Sequence, residues 1–361
     1  MLSKRVIFYR LYLVMNIAFI WVLFSLLFLY NIVTVDKVLL EERTLSLFAL
    51  AFAIVGFIVA AAEAFFLKDA FRKLPFLLST LLRMSLTLLL FLVVSVIFLA
   101  VYFVFRYDGT FTEFKDKFIN EIIHSPSFLI LMLDMGLLAL ISILALEVSD
   151  KFGPGGVRNF LRGRYNQPRK ENRIFLFLDM NDSTAIAEHI GHEQYFKMLK
   201  VFFSDITEPI LNHGGHIYQY VGDEIVLSWR NDEKGKQNCL NCVRDAWLVF
   251  EKRAGKYKAA FGYAPSFKAG IHAGDVTAGY IGIIKKDLVY SGDILNTTAR
   301  IRSKCHTLGH SFVVSESFLQ EYENKNDFSF EEIGAIELKG KQQKVKLFSF
   351  HFPGFAEPVS A

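Results

Sequence analysis

The stretch RIFLFLDMNDSTAIAEHIG, Arg173 to Gly191, holds an almost wholly apolar run, Ile174 to Leu178, that stops at an acid, Asp179. It then turns at once into Asn181, Asp182, Ser183 and Thr184. A short apolar run bounded by turn formers reads as a strand bound for a core. The hydroxyl-rich segment behind it reads as a helix start, whose free backbone N–H groups suit a phosphate. A core strand that ends on a carboxylate needs something to balance that charge.

Working outward, helical periodicity runs through HEQYFKMLKVFFSDITEPIL. Two alternating runs follow, HIYQYV and EIVLSW, with Gly222-Asp223 between them, which is the spacing of a two-residue hairpin. A second helix is predicted from about Gln237 to Lys256, with Leu240, Val243, Trp247 and Phe250 as its apolar stripe. Strands follow in SFKAGIHAGDVTAGYIG, a helix in DILNTTARIRSKC, then SFVVSE and a closing pair. The order predicts an α+β, ferredoxin-like βαββαβ core with additions. In such a core the first strand and the hairpin can lie side by side, bringing Asp179 and Asp223 to one end of the sheet. Two converging carboxylates call for a cation, and hard oxygen donors point to Mg²⁺ or Mn²⁺. Either acid taken alone is better explained by a helix cap or a turn; their shared topology is what favours the metal. In GDILNTTARI, Asn296 and Arg300 are four apart on a helix and share a face. An arginine fork suits a phosphoryl group gaining charge, although for the pair taken alone an exposed helix face is the better explanation.

The first half of the chain is different. The 361 residues are 53% hydrophobic, more than a soluble protein of this length carries, and the excess lies before residue 150. Four stretches reach the roughly 20 apolar residues needed to cross a bilayer. They are about 11–33, 45–67, 79–105 and 128–148, within a membrane domain of 1–149. Lys and Arg gather before the first stretch, between the second and third, and after the fourth. The positive-inside rule therefore predicts a multi-pass protein of the inner (plasma) membrane with both termini cytoplasmic. Glu63 and Arg83 fall at the cytoplasmic ends of their helices, where they can pair or snorkel; Asp134 lies in the outer third of the fourth. A basic linker, 150–172, follows, and its Gly-Pro-Gly-Gly breaks the helix leaving the membrane. Its arginines lie beside the membrane, where they suit an anionic bilayer surface rather than nucleic acid.

The segments from Arg173 to about Phe352 together resemble the class III nucleotidyl (adenylate/guanylate) cyclases. FLDMNDST is similar to that family's first metal motif and VGDEIV to its second. GDILNTTARI resembles the segment carrying its transition-state Asn and Arg, and KAGIHAGDVTAGYIG and ELKGKQQKVKLF match further segments in order. The resemblance implies a cyclase domain over 173–353 with a short tail, 354–361. It implies two Mg²⁺ or Mn²⁺ ions per site held by Asp179, Asp223 and the Met180 carbonyl. Asn296 would place the ribose, Arg300 would stabilise the pentavalent phosphorus, and Lys339 or Lys341 would contact phosphate. A homodimer with shared sites is implied too, converting ATP to cyclic AMP and pyrophosphate by in-line attack of the 3′-hydroxyl. At the two base-selecting positions stand Gln219 and Val289, which carry neither the usual adenine nor the usual guanine signature. Cyclic GMP synthesis from GTP, and an inactive cyclase-like signalling module, remain as alternatives. A diguanylate cyclase would need Gly-Gly-(Asp/Glu)-Glu-Phe where this chain has Tyr-Val-Gly-Asp-Glu-Ile.

Overall fold

The computed structural model describes residues 4–35, 42–71, 73–107, 109–153, 155–323, 327–338 and 344–355. The chain divides into two compact units, Met1–Pro154 and Gly155–Ala361.

The first unit is helical. Helix α1 (Lys4–Val35) is followed by α2 (Glu42–Ala62), which passes through a π-helical turn at Glu63–Leu67 into α3 (Lys68–Ala70). Then come α4 (Phe76–Tyr107), α5 (Phe111–Lys117), a second π-turn at Phe118–Ile122, and α6 (Pro126–Phe152). Four segments are long and apolar enough to cross a membrane: Ile7–Tyr30, Ala49–Ala70, Phe76–Val104 and Phe128–Phe152. Trp21, Phe91, Met135 and Leu138 fill the interior, while Leu77, Leu89, Leu129 and Leu133 stay exposed, the inside-out pattern of a bundle solvated by lipid. One charged cluster is buried. Arg83 donates from Nε to Glu63 at 3.0 Å and from Nη1 to Glu147 at 2.7 Å, and Thr87 hydroxyl lies 3.4 Å from Glu63. Of the two fates open to Glu63 and Arg83, pairing is the one realised, because neither side chain reaches the bundle surface. The π-turn sits at Glu63, and Arg10 of α1 donates to the Ala64 carbonyl within it and to Asp69 beyond it.

The second unit begins earlier than its sequence suggests. Helix α6 closes at Gly153, as the Gly-Pro-Gly-Gly break requires. The residues expected to form a linker up to 172 instead supply α7 (Gly156–Leu161), a buried Tyr165 and the first four residues of β1 (Arg169–Met180). Tyr165 is built in because its carbonyl accepts the Tyr280 N–H and its ring joins the cluster around Phe175 and Tyr290. After β1 come α8 (Ser183–Ile190), α9 (His192–Asn212), β2 (His216–Val221), β3 (Glu224–Arg230), α10 (Glu233–Phe261) and β4 (Phe267–Ile281). Additions follow: β5 (Asp287–Ser291), α11 (Asp293–Leu308), β6 (Phe312–Ser315), α12 (Glu316–Leu319), β7 (Ser329–Ile336) and β8 (Val345–His351). Helix α10 outruns its predicted span because Asp232 caps it, accepting from the Gly235 N–H.

The sheet runs β2-β3-β1-β4-β6-β8-β7, with β5 paired to β4. Its first four strands, with α8–α9 and α10, form the expected ferredoxin-like core, and every neighbouring pair among them is antiparallel. Alternation along β1 sorts the two faces. Ile174, Leu176 and Leu178 pack with Phe202, Ile206, Leu240 and Phe250 of the helices. Phe175 and Phe177 face the other way, toward Tyr290 and Ile294. Asp179 continues that second row.

Candidate active site

Asp179 stands directly across from Glu224 on β3 and from Lys268 on β4. Opposed residues on neighbouring strands share a face, so one sheet end carries a carboxylate, a second carboxylate and an ammonium side by side. Helix α11 covers this face and brings a guanidinium down onto them. Arg302 Nη1 donates to Asp179 Oδ2 at 3.1 Å, and Nη2 lies 2.6 Å from Glu224 Oε2, off the hydrogen-bond direction. Lys268 Nζ is 3.4 Å from the same Asp179 oxygen. The approach depends on Gly270 of β4: a Cβ there would sit 2.5 Å from the Arg302 nitrogen and 2.8 Å from its Cα.

Asp223 enters from the hairpin. Val221 and Glu224 pair, leaving Gly222-Asp223 as the two-residue turn, with Gly222 at φ +62°, where glycine alone is unstrained. Burial pushes the Asp179 carboxyl above its ordinary range; Arg302 pulls it back, and the neighbouring Asp223 charge pushes it up again. Burial likewise raises Glu224, against the pull of Arg302. The Tyr195 phenol of α9 is raised by burial and then by the charges of Asp223 and Asp179, against an opposing pull from Ser183. Asp179, Asp223, Tyr195 and the start of α8 therefore form one neighbourhood. Met180 closes β1 beside them, its side chain buried in the helix-facing core.

The first turn of α8 has no side-chain cap, since Asp182 is left-handed (φ 53°) and makes no capping bond. Ser183 and Thr184 fit the expectation of an open helix start. Asn181 does not: its backbone N–H donates to the Ser266 carbonyl and its side-chain amide to the Ser266 hydroxyl, so neither is free for phosphate. Lys339 and Lys341 lie outside the described residues.

Asn296 and Arg300 sit elsewhere on α11. The helix buries Ile294, Thr297, Thr298, Ile301 and Cys305. At 3.6 residues per turn, Arg300 and Arg302 leave the axis about 200° apart. Arg302 therefore faces the chain's own acids, while Arg300 and the exposed Asn296 are turned to the far flank. Arg300 Nη1 is buried and, among the described residues, has no hydrogen-bond partner. Gln219 is exposed on β2 and Val289 half-buried on β5. Their chain neighbours Tyr218 and Tyr290 touch, with ring centroids 5.0 Å apart.

Arg302, Glu224, Lys268 and Tyr195 were not singled out in the sequence. Glu224 and Arg302 each lie within two residues of a motif position that drew the attention, and Lys268 is joined to Asp179 only by strand register. The residues fit a divalent cation: two hard carboxylates close enough to disturb each other, at an end of the sheet that already holds cationic side chains against them. Among the described residues no three His, Cys, Asp or Glu side chains converge as a preformed cage.

The family model "Adenylate and Guanylate cyclase catalytic domain" matches residues 165–351. The chain is 34% identical over 208 residues to adenylate cyclase 2 of Rhizobium meliloti, covering 57% of each protein. It is 21% identical over 187 residues to a receptor-type guanylate cyclase of Caenorhabditis elegans, covering 51% of this chain and 17% of that one. A bacterial light-regulated adenylyl cyclase structure superposes with TM-score 0.54 at 18% identity, over 63% of this chain and 67% of that one, a likeness of fold. The chain spans little more than half of the first of these relatives, and the residues matched by the family model, 165–351, contain the whole sheet and both acids. With a ferredoxin-like core, two acids at one sheet end and a family match over half its length, this chain belongs to the adenylate and guanylate cyclase family.

Proposed function

We propose that the protein is a membrane-anchored adenylate cyclase that converts ATP to 3′,5′-cyclic AMP and pyrophosphate as a homodimer. The carrying observation is the placement of Asp179 and Asp223 together beside the uncapped start of α8. Asp179, Asp223 and the Met180 carbonyl would hold two Mg²⁺ or Mn²⁺ ions. Bound there, the ions would supply charge neutralisation of the triphosphate and acidify the attacking hydroxyl. Ser183 and Thr184 would cradle phosphate oxygens with backbone N–H groups. The ribose 3′-oxygen forms a bond to the α-phosphorus, the bond from that phosphorus to the β-phosphate oxygen breaks, and the hydroxyl proton is released. Arg300 would balance the charge that grows on the α-phosphate, and Asn296 would hold the ribose.

Asn296 and Arg300 point away from their own chain's acids, which supports reading a complete site as the acids of one protomer and the Asn/Arg pair of a second. Gln219 and Val289 would read the base; glutamine can donate and accept, so it suits the N1 and amino edge of adenine. The adenylate cyclase named among the relatives supports ATP over GTP. The bilayer is the second partner, with the cyclase unit on the cytoplasmic side by the charge asymmetry of the flanks. Mass spectrometry of products from equimolar ATP and GTP, with Mn²⁺ or Mg²⁺ and an Asp223→Ala control, tests the reading. Cyclic AMP from the wild type alone is expected. Predominant cyclic GMP would overturn the substrate, and no cyclic product would overturn the activity.

A further inference from the structure

We propose that Arg302 is a built-in cation that holds the metal-binding acids until substrate arrives, so that divalent ions enter together with a nucleoside triphosphate rather than ahead of it. This rests on the reading of Asp179 and Asp223 as metal ligands, and goes beyond it.

The sheet end sets Asp179 against both Arg302 and Lys268, and both cations lie on the same oxygen, Asp179 Oδ2; Arg302 also reaches Glu224. A divalent ion arriving alone meets two positive charges within a few ångströms of the oxygen it needs. An ion arriving with a triphosphate brings its own counter-charge. Arg302 need not leave to admit it. Glu224 Oε2 is 2.6 Å from Nη2, so the guanidinium keeps an anchor when Asp179 turns to the metal. The present pairing is a compromise, for among the described residues Arg302 Nε is buried without an acceptor and Glu224 Oε2 lacks an aligned donor. Contact with the Gly270 backbone fixes the helix at this point, so the charge yields by side-chain rotation and not by helix retreat.

The test measures Mn²⁺ binding to full-length protein in detergent by electron paramagnetic resonance, without nucleotide. Equilibrium dialysis of Mn²⁺ with labelled 3′-deoxy-ATP, which lacks the attacking hydroxyl, is run beside it. Removing one unit charge at contact distance should tighten metal-only binding by about tenfold or more in Arg302→Gln, given effective dielectrics near a protein surface. Arg302→Lys, whose single ammonium cannot reach both carboxylates, should fall between, and covers the case in which the Gln variant fails to fold. Adding Asp179→Asn to Arg302→Gln should abolish the gain. Metal-only binding no tighter in either variant overturns the proposal, as does a gain that survives loss of Asp179. Those failures leave the functional reading standing if wild type takes up Mn²⁺ with the nucleotide. If it binds neither, the metal-site reading falls and this inference falls with it.

Discussion

Two residues apart on α11, Arg300 and Arg302 lie on opposite flanks. Arg302 is already paired with acids of its own chain, whereas Arg300 Nη1 is buried with no hydrogen-bond partner among the described residues. The resemblance of GDILNTTARI to a family segment singled out Arg300; neither that resemblance nor helical spacing could show Arg302, whose partners are set by strand register and by the absence of a Cβ at Gly270. At the same scale His216 supplies a pH effect. Burial pushes its imidazole below the ordinary range, the Arg173 charge adds to that, and Glu171 opposes both. Among the described residues its Nδ1 is buried without a hydrogen-bond partner. The native pKa lies below the unfolded value of about 6.5, so the unfolded chain binds the proton first. The stability due to neutral His216 is therefore complete above about pH 6.5 and is lost as pH falls below it toward the native pKa. Thermal melts across that range should fall less steeply with acid in His216→Phe than in wild type; identical slopes would remove His216 from the account.

Gly270 and the two π-turns matter at the scale of elements. A methyl group at Gly270 drives into the α11 backbone, so Gly270→Ala should lose about 1–3 kcal/mol of stability and lift Arg302 away from Asp179. A melt of the full chain unchanged by that substitution would contradict the close packing. In the membrane unit, Arg83→Met leaves Glu63 buried beside Glu147 with no cation and should cost about 3–5 kcal/mol. Thermal unfolding in detergent checks this, and adding Glu63→Gln should restore part of the loss. The Gly222-Asp223 hairpin was legible because two alternating runs and a glycine specify it locally. The α8 start was half legible: hydroxyls mark the helix, but only the fold shows that Ser266, 85 residues on, takes Asn181. Segment 155–168 was least legible, since Gly, Pro and Arg read as a tether and its buried residue, Tyr165, depends on strands β4 and β5.

At the scale of the whole molecule, composition alone divides a lipid-solvated half from a water-solvated half, and the structure places that division after Pro154. A soluble chain starting at Gly155 keeps Tyr165, whose ring packs with Phe175 and Tyr290; one starting at Gln167 loses it. The shorter chain should melt at lower temperature, by an amount in line with the roughly 3–5 kcal/mol lost when a buried aromatic is removed. Equal melting temperatures would return 155–166 to the linker. The α11 geometry makes the same whole-molecule point about activity, because one chain turns its Asn296 and Arg300 away from its own Asp179 and Asp223. Asp223→Ala and Arg300→Ala should each be nearly inactive alone, the arginine loss being about 10³–10⁵ in rate. The most direct measurement co-assembles those two variants and follows cyclic nucleotide by mass spectrometry. A clear return of activity in the mixture is the expected result, since one site per mixed dimer is intact. A mixture as inactive as its parts, or an Arg300→Ala chain active by itself, would contradict an active site shared between two copies.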